Sequence, residues 1–275
     1  MRKLGLGTVQ FGQAYGISNV HGQVSTDAVR ALLKRAAEAG IAVLDTAANY
    51  GEAEQILSQS GTRNFRIVTK TIGVKHGVEA VVARARQSAR DLKADTLLVH
   101  AAGDLTDDKL WPALQRLKAE GEFRNIGISV YVGDDPAGLA ARYRPDVMQL
   151  PFSILDQRLL QDGTLARLNE LGVELHARSV FLQGLLFMDA LPPRLAHAAP
   201  RLAAVKLAIR SAGSTPLAAA LGFVLSRPEI GVALVGVTAL AELEEILAAA
   251  AMELPRLDWS ALALDDEKLL TPSRW

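Results

Sequence analysis

Eight short apolar runs, each followed by a stretch of helical period, constrain this chain more than any other feature. They lie at residues 3–8, 41–45, 67–70, 96–100, 124–129, 146–149, 173–179 and 232–235. Runs this short, bounded by turn residues, suit strands buried on both faces. Between them apolar residues recur at i, i+3, i+4 and i+7. Val29, Leu32, Leu33, Ala36 and Ala37 do so in the first helical stretch, which Ser25 or Thr26 can cap and Gly40 can end. Val78, Val81, Val82, Ala85 and Leu92 share one face in another. Further helices are expected at 52–60, 106–119, 136–143, 163–171, 202–211, 216–226 and 239–251. Residues 181–200 read as irregular, and 252–275 as a largely non-periodic C-terminal tail.

Strands that alternate with helices imply a parallel sheet. Eight such units in roughly 250 residues match an α/β fold of the (β/α)8 TIM-barrel type, one domain over 1–275. An open doubly wound sheet is the competitor, but Gly5, Gly7 and Gly12 do not give the Gly-x-Gly-x-x-Gly turn it needs after the first strand.

Composition removes several functions. Lys plus Arg and Asp plus Glu number 30 each, so nucleic acid is not an implied partner. The absence of cysteine excludes disulfides, thiolate nucleophiles and cysteine metal sites. His21, His76, His176 and His197 lack ligand spacing, and no metal is expected. The N-terminus has no apolar signal core, and runs such as 217–225 are too short to span a bilayer. A cytoplasmic protein with no membrane partner is the expectation.

In a barrel of this kind the active site forms where the strand C-termini converge. Those ends supply Asp45, Lys70, His100, Ser129, Gln149 and Ser179, with Tyr50 just past the second. A carboxylate, an ammonium, an imidazole and a phenol from strands two to four can then meet at one point. A phenol has an ordinary pKa of about 10, and an adjacent ammonium favours its phenolate. A carboxylate at Asp45 would hold Lys70 in place and charged. The set can deliver a proton but has no nucleophile for carbon, a gap that hydride from a nicotinamide would fill.

Leu4-Gly5-Leu6-Gly7-Thr8, the stretch from Leu44 to Gly51, Val68-Thr69-Lys70, Leu97 to His100, Gly121 to Ser129, Gln149 with Asp156 and Arg158, and Ser179 to Leu186 together resemble the aldo-keto reductases. The likeness covers residues 3 to about 250. It implies NAD(P)H-dependent reduction of a small carbonyl compound, or the reverse, with Tyr50 as proton donor, Lys70 and Asp45 tuning it and His100 orienting substrate. It implies further that Ser129 and Gln149 hold the nicotinamide carboxamide and that Gly7 and Thr8 lie against the cofactor. Ser179, Phe181 and Gln183 would cover the pyrophosphate, and Gly236 and Thr238 the adenosine phosphate.

The chain departs from that pattern at three places. Val130 replaces an asparagine, and Arg178 stands where an aromatic ring stacks on the nicotinamide. Glu242, Glu244 and Glu245 follow where Lys or Arg binds the 2′-phosphate. NADP(H) is the expected cofactor, with NAD(H) the alternative. Arg178, Phe11 and Tyr15 are the candidate substrate contacts. Two other functions use the same barrel: a nucleotide-sensing or regulatory protein with little turnover, and an isomerase or lyase that moves protons alone.

Overall fold

The computed structural model describes residues 3–275; Met1 and Arg2, the start of the expected domain, lie outside the described residues. The strands are β1 (Leu4–Gly7), β2 (Val43–Asp45), β3 (Arg66–Lys70), β4 (Thr96–Val99), β5 (Asn125–Ser129), β6 (Val147–Pro151), β7 (Glu174–Arg178) and β8 (Ile230–Gly236). All pair in parallel in chain order, and β8 closes against β1, so the barrel is complete.

Alternate residues of β2, β3, β4, β6 and β8 enter two separate apolar clusters. Val43, Val68, Leu98, Val147, Val232 and Leu234 pack together inside the barrel. Their neighbours Leu44, Ile67, Leu97, Met148 and Ala233 join the larger cluster that the surrounding helices cover. Full burial of a Leu or Val side chain contributes ~1.5–3 kcal/mol, so a one-residue slip, which would exchange the two faces, is strongly disfavoured. Gly127 is required here, because a Cβ on it would strike the Val147 carbonyl oxygen and the Leu98 side chain.

The lower end of the barrel is polar. Arg66 at the start of β3 reaches across to β7, where its Nη1 donates to Glu174 Oε2 at 3.0 Å and its Nη2 contacts His176 Nε2 at 3.1 Å. His176 is fully buried and its Nε2 lies 2.9 Å from Glu174 Oε1.

Several boundaries differ from the sequence reading. The fifth-unit helix spans Leu110–Ala119 and begins later than residue 106, because Ala102–Thr106 forms a separate 3-10 turn. Pro112, which has no N–H to donate, is confined to the first turn of the helix that follows. A four-residue helix, Val9–Gly12, follows β1 directly. Residues 181–200 contain two 3-10 segments, Leu182–Phe187 and Pro193–Ala198. The tail is packed: Leu262, Leu264, Leu269 and Leu270 are buried, and Leu264 N donates to the Leu155 carbonyl at 2.9 Å. Among the described residues no single helix is long and apolar enough to cross a membrane.

Candidate active site

Two residues beyond the inner apolar layer, on the same inward faces, stands a ring made by all eight strands. Its members are Gly7, Asp45, Lys70, His100, Ser129, Gln149, Arg178 and Gly236, and each lines a cavity of about 990 Å³ at the C-terminal rim. The two-residue period of a strand explains the placement: Val43 leads to Asp45, Val68 to Lys70, Leu98 to His100 and Val147 to Gln149.

Lys70 is 1 % exposed and donates to Asp45 Oδ2 at 2.7 Å and to the Thr46 carbonyl at 2.8 Å. Burial alone would lower the pKa of its ammonium, but Asp45 and Tyr50 outweigh that and raise it. The second carboxylate oxygen of Asp45 accepts from Gln149 Nε2 at 2.6 Å, so this buried carboxylate is paired on both sides. Lys70 Nζ stands 4.9 Å from the centre of the Tyr50 ring. The His100 ring meets the same phenol edge to face, with centroids 5.8 Å apart. Burial first, and the Lys70 charge second, push the His100 imidazole down to about 4. It is therefore neutral at pH 7, and its Nδ1 is buried without a partner.

The Tyr50 loop is held from two directions. A Cβ on Gly12 would collide with the Tyr50 carbonyl oxygen, so only glycine lets the Val9–Gly12 helix lie against this loop. Glu54, on the helix that follows, is buried; it accepts from Thr69 and Ser88 and pairs with Arg84. That carboxylate ties the segment bearing Tyr50 to the strand bearing Lys70. Sequence reading missed it, because one glutamate in a helix shows no sign of burial.

The roof comes from the loop after β7. Gln183 Oε1 accepts from Ile17 N at 3.2 Å, its Nε2 donates to Tyr15 Oη at 3.2 Å, and its carbonyl accepts from Ser18 Oγ at 3.0 Å. Ser179, Leu182 and Gln183 all adopt positive φ, and the loop crosses to the one after β1. Ser179, Phe181, Gln183 and Tyr15 line the cavity.

Most of the sequence-predicted residues converge here, but two do not. Thr8 is fully buried with its hydroxyl donated to the Asp45 carbonyl at 3.0 Å, and it supports β2 instead of facing the cavity. Phe11 is fully buried in the core and does not line the cavity, so its expected substrate contact is corrected. Tyr131, Gln10, Lys206 and Arg210 line the cavity and were not anticipated. Glu242 caps Thr238, accepting from its N at 2.6 Å, and Glu244 pairs with Arg35 at 2.6 Å, so both acids have structural partners.

The residues present fit a nicotinamide nucleotide. Gln149 spends its N–H on Asp45 and keeps its oxygen as an acceptor, and the Ser129 hydroxyl stands beside it on the ring. The cavity runs from these groups past Gly236 and Thr238 to Glu245, Lys206 and Arg210, and its volume is generous for a small substrate alone.

A closed barrel with this rim provides the frame of a barrel oxidoreductase. The sequence model of the aldo/keto reductase family matches residues 3–264, and the chain belongs to that family. It is 29 % identical to L-galactose dehydrogenase of Arabidopsis thaliana, over 97 % of this chain and 89 % of that protein. It is 28 % identical to glyoxal reductase of Bacillus subtilis, over 64 % of this chain and 65 % of that one. The fold is shared with a holo-form aldo-keto reductase from Bacillus halodurans (TM-score 0.75, 19 % identity, 99 % of this chain and 93 % of that chain). It is shared also with an aldose reductase from Giardia lamblia (TM-score 0.69, 18 % identity, 95 % and 91 %). At the level of the family the protein is an oxidoreductase of small carbonyl compounds.

Proposed function

We propose that the protein reduces an aldehyde or ketone to the alcohol with NADP(H), or runs the reverse, and that Tyr50 supplies the proton. The observation that carries this reading is Lys70: an ammonium buried to 1 % exposure, paired with Asp45 and set 4.9 Å from the Tyr50 ring centre. Holding a charge out of water is costly unless it is paired, and this one is held beside a phenol that faces the cavity.

Each group then has a part. The Tyr50 hydroxyl gives its proton to the substrate oxygen, and the Lys70 charge stabilises the oxygen left behind. Asp45 keeps Lys70 charged and fixed. His100, neutral at pH 7, offers an N–H to the same substrate oxygen and so orients the carbonyl. A nicotinamide bound in the cavity would supply the hydride. Ser129 and Gln149 would hold its carboxamide beside Gly7, Ser179, Phe181 and Gln183 would cover its pyrophosphate, and Gly236 and Thr238 would take the adenosine phosphate. Lys206 and Arg210 on the helix Ala199–Ser211 line the cavity beside Glu245 and offer two cations to a 2′-phosphate, which supports NADP(H) over NAD(H).

The test is a fluorescence titration with NADPH and NADH separately, followed by cofactor oxidation against a panel of neutral and charged aldehydes. Micromolar binding with turnover is expected. Failure of both nucleotides to bind sinks the proposal, and binding without turnover of any carbonyl would favour a nucleotide-sensing protein.

A further inference from the structure

We infer that the substrate carries a carboxylate as well as its carbonyl, and that Arg178, flanked by Tyr131 and Tyr15, receives it. This rests on the reductase reading above and goes on to name the substrate class.

The inward ring contains one carboxylate and two cations. Asp45 and Lys70 cancel one another at 2.7 Å, and the third charge, Arg178, has no carboxylate partner among the described residues. Its neighbours in the protein are neutral. Nη2 donates to the Val130 carbonyl at 2.9 Å, and Nη1 reaches Ser179 Oγ only at 3.4 Å. A guanidinium has five N–H groups, so three remain for a ligand. The group is also held by the Tyr131 ring, over which its Cζ sits 4.3 Å from the centre. A half-buried cation that is rigidly held and unpaired is complementary to a planar anion, and a carboxylate accepts two parallel N–H bonds from such a fork.

The surroundings favour the same ligand. Tyr131 and Tyr15 are 38 % and 40 % exposed and line the cavity with Arg178 and Tyr50. Tyr15 Oη accepts from Gln183 Nε2, which leaves its own proton free to donate. Burial, then Tyr50 and Tyr131, raise the Tyr15 pKa above the ordinary phenol value, so it remains a donor at neutral pH. Val130, fully buried and apolar, offers no side-chain acceptor here, and its backbone oxygen anchors Arg178.

The measurement is kcat/KM at saturating cofactor for 3- and 4-carboxybenzaldehyde against benzaldehyde, in wild type, Arg178→Met and Arg178→Lys. Wild type is expected to favour at least one carboxylate isomer by about tenfold or more, the worth of one net charge-assisted hydrogen bond. Arg178→Met should bring that ratio to about one, and Arg178→Lys should retain part of it, since the charge remains. A wild-type ratio near one for both isomers overturns the inference, as does a ratio that survives Arg178→Met. So does a loss of NADPH affinity in Arg178→Met that matches its loss of activity, because Arg178 would then serve the cofactor. Benzoate against benzamide, titrated into the NADPH complexes of wild type and Arg178→Met, reads the site without turnover: a benzoate preference that the variant loses supports it, and equal or weaker benzoate in wild type, or a preference that survives in the variant, refutes it. Turnover of benzaldehyde without charge preference defeats this inference alone, whereas absence of nucleotide binding defeats the reductase reading.

Discussion

Lys70 and Asp45 show how single residues carry both stability and chemistry. Their ion pair is almost fully enclosed, so removal of one partner leaves a buried charge uncompensated. Lys70→Met should therefore destabilise the fold by about 3–5 kcal/mol, and the double variant Lys70→Met with Asp45→Leu by distinctly less. Urea denaturation of wild type, both single variants and the double variant, compared by linear extrapolation, checks this; an additive double variant would show that the pair is not coupled. The members of this cluster could be read from the sequence because each ends an apolar run, and a period of two then fixes the inward face. Thr8 and Phe11 were misplaced because the chain turns at once into the Val9–Gly12 helix, which is too short to show a period. Tyr131 was invisible because nothing in the sequence ties it to Arg178, 47 positions later in the numbering, except the stack itself.

Among the elements, the loop after β7 is the one whose shape depends most on contacts made at a distance. Positive φ at Ser179, Leu182 and Gln183 is unfavourable for residues with a Cβ, and no glycine precedes Gly184 in that loop. The bonds from Gln183 to Ile17 and Tyr15 and the Ser18 bond to its carbonyl hold it in that shape. Gln183→Ala removes both side-chain bonds, each worth about 0.5–1.5 kcal/mol net, and should raise the NADPH dissociation rate roughly tenfold with little change in Tm. Stopped-flow displacement of NADPH measures it, and an unchanged rate would free the loop from any part in cofactor retention. The strands and long helices were legible from periodicity. This loop was not, because its conformation is set by residues some 165 positions away.

For the whole molecule, the closed barrel followed from counting eight strand–helix units, and the structure bears that out. The polar lower end did not follow, since Arg66 and Glu174 are 108 residues apart and meet only across the closed barrel. It gives the protein an acid sensitivity with a defined sign. Burial alone would raise the Glu174 carboxyl, but bonds from His176 and Arg66 reverse that and hold it down at about 2, against an ordinary 4.5. The unfolded chain therefore binds this proton first, and the stability contributed by Glu174 is full above 4.5 and lost as pH falls toward 2. His100, pushed down to about 4 from 6.5, adds a second loss as pH falls from 6.5 to 4. Denaturant unfolding across pH 2 to 7 should show stability rising through both windows. Glu174→Gln should be less stable at pH 7 and flatter below 4.5, and a parallel profile would remove the Arg66–Glu174 contact from the account.

Whether Tyr50 gives the proton is read by single-turnover oxidation of bound NADPH by an aldehyde, wild type against Tyr50→Phe, with NADPH affinity measured alongside. The variant should bind NADPH within about twofold of wild type, and its rate should fall by ~10²–10⁴, the usual worth of a positioned acid. Equal rates in the two proteins would contradict that role.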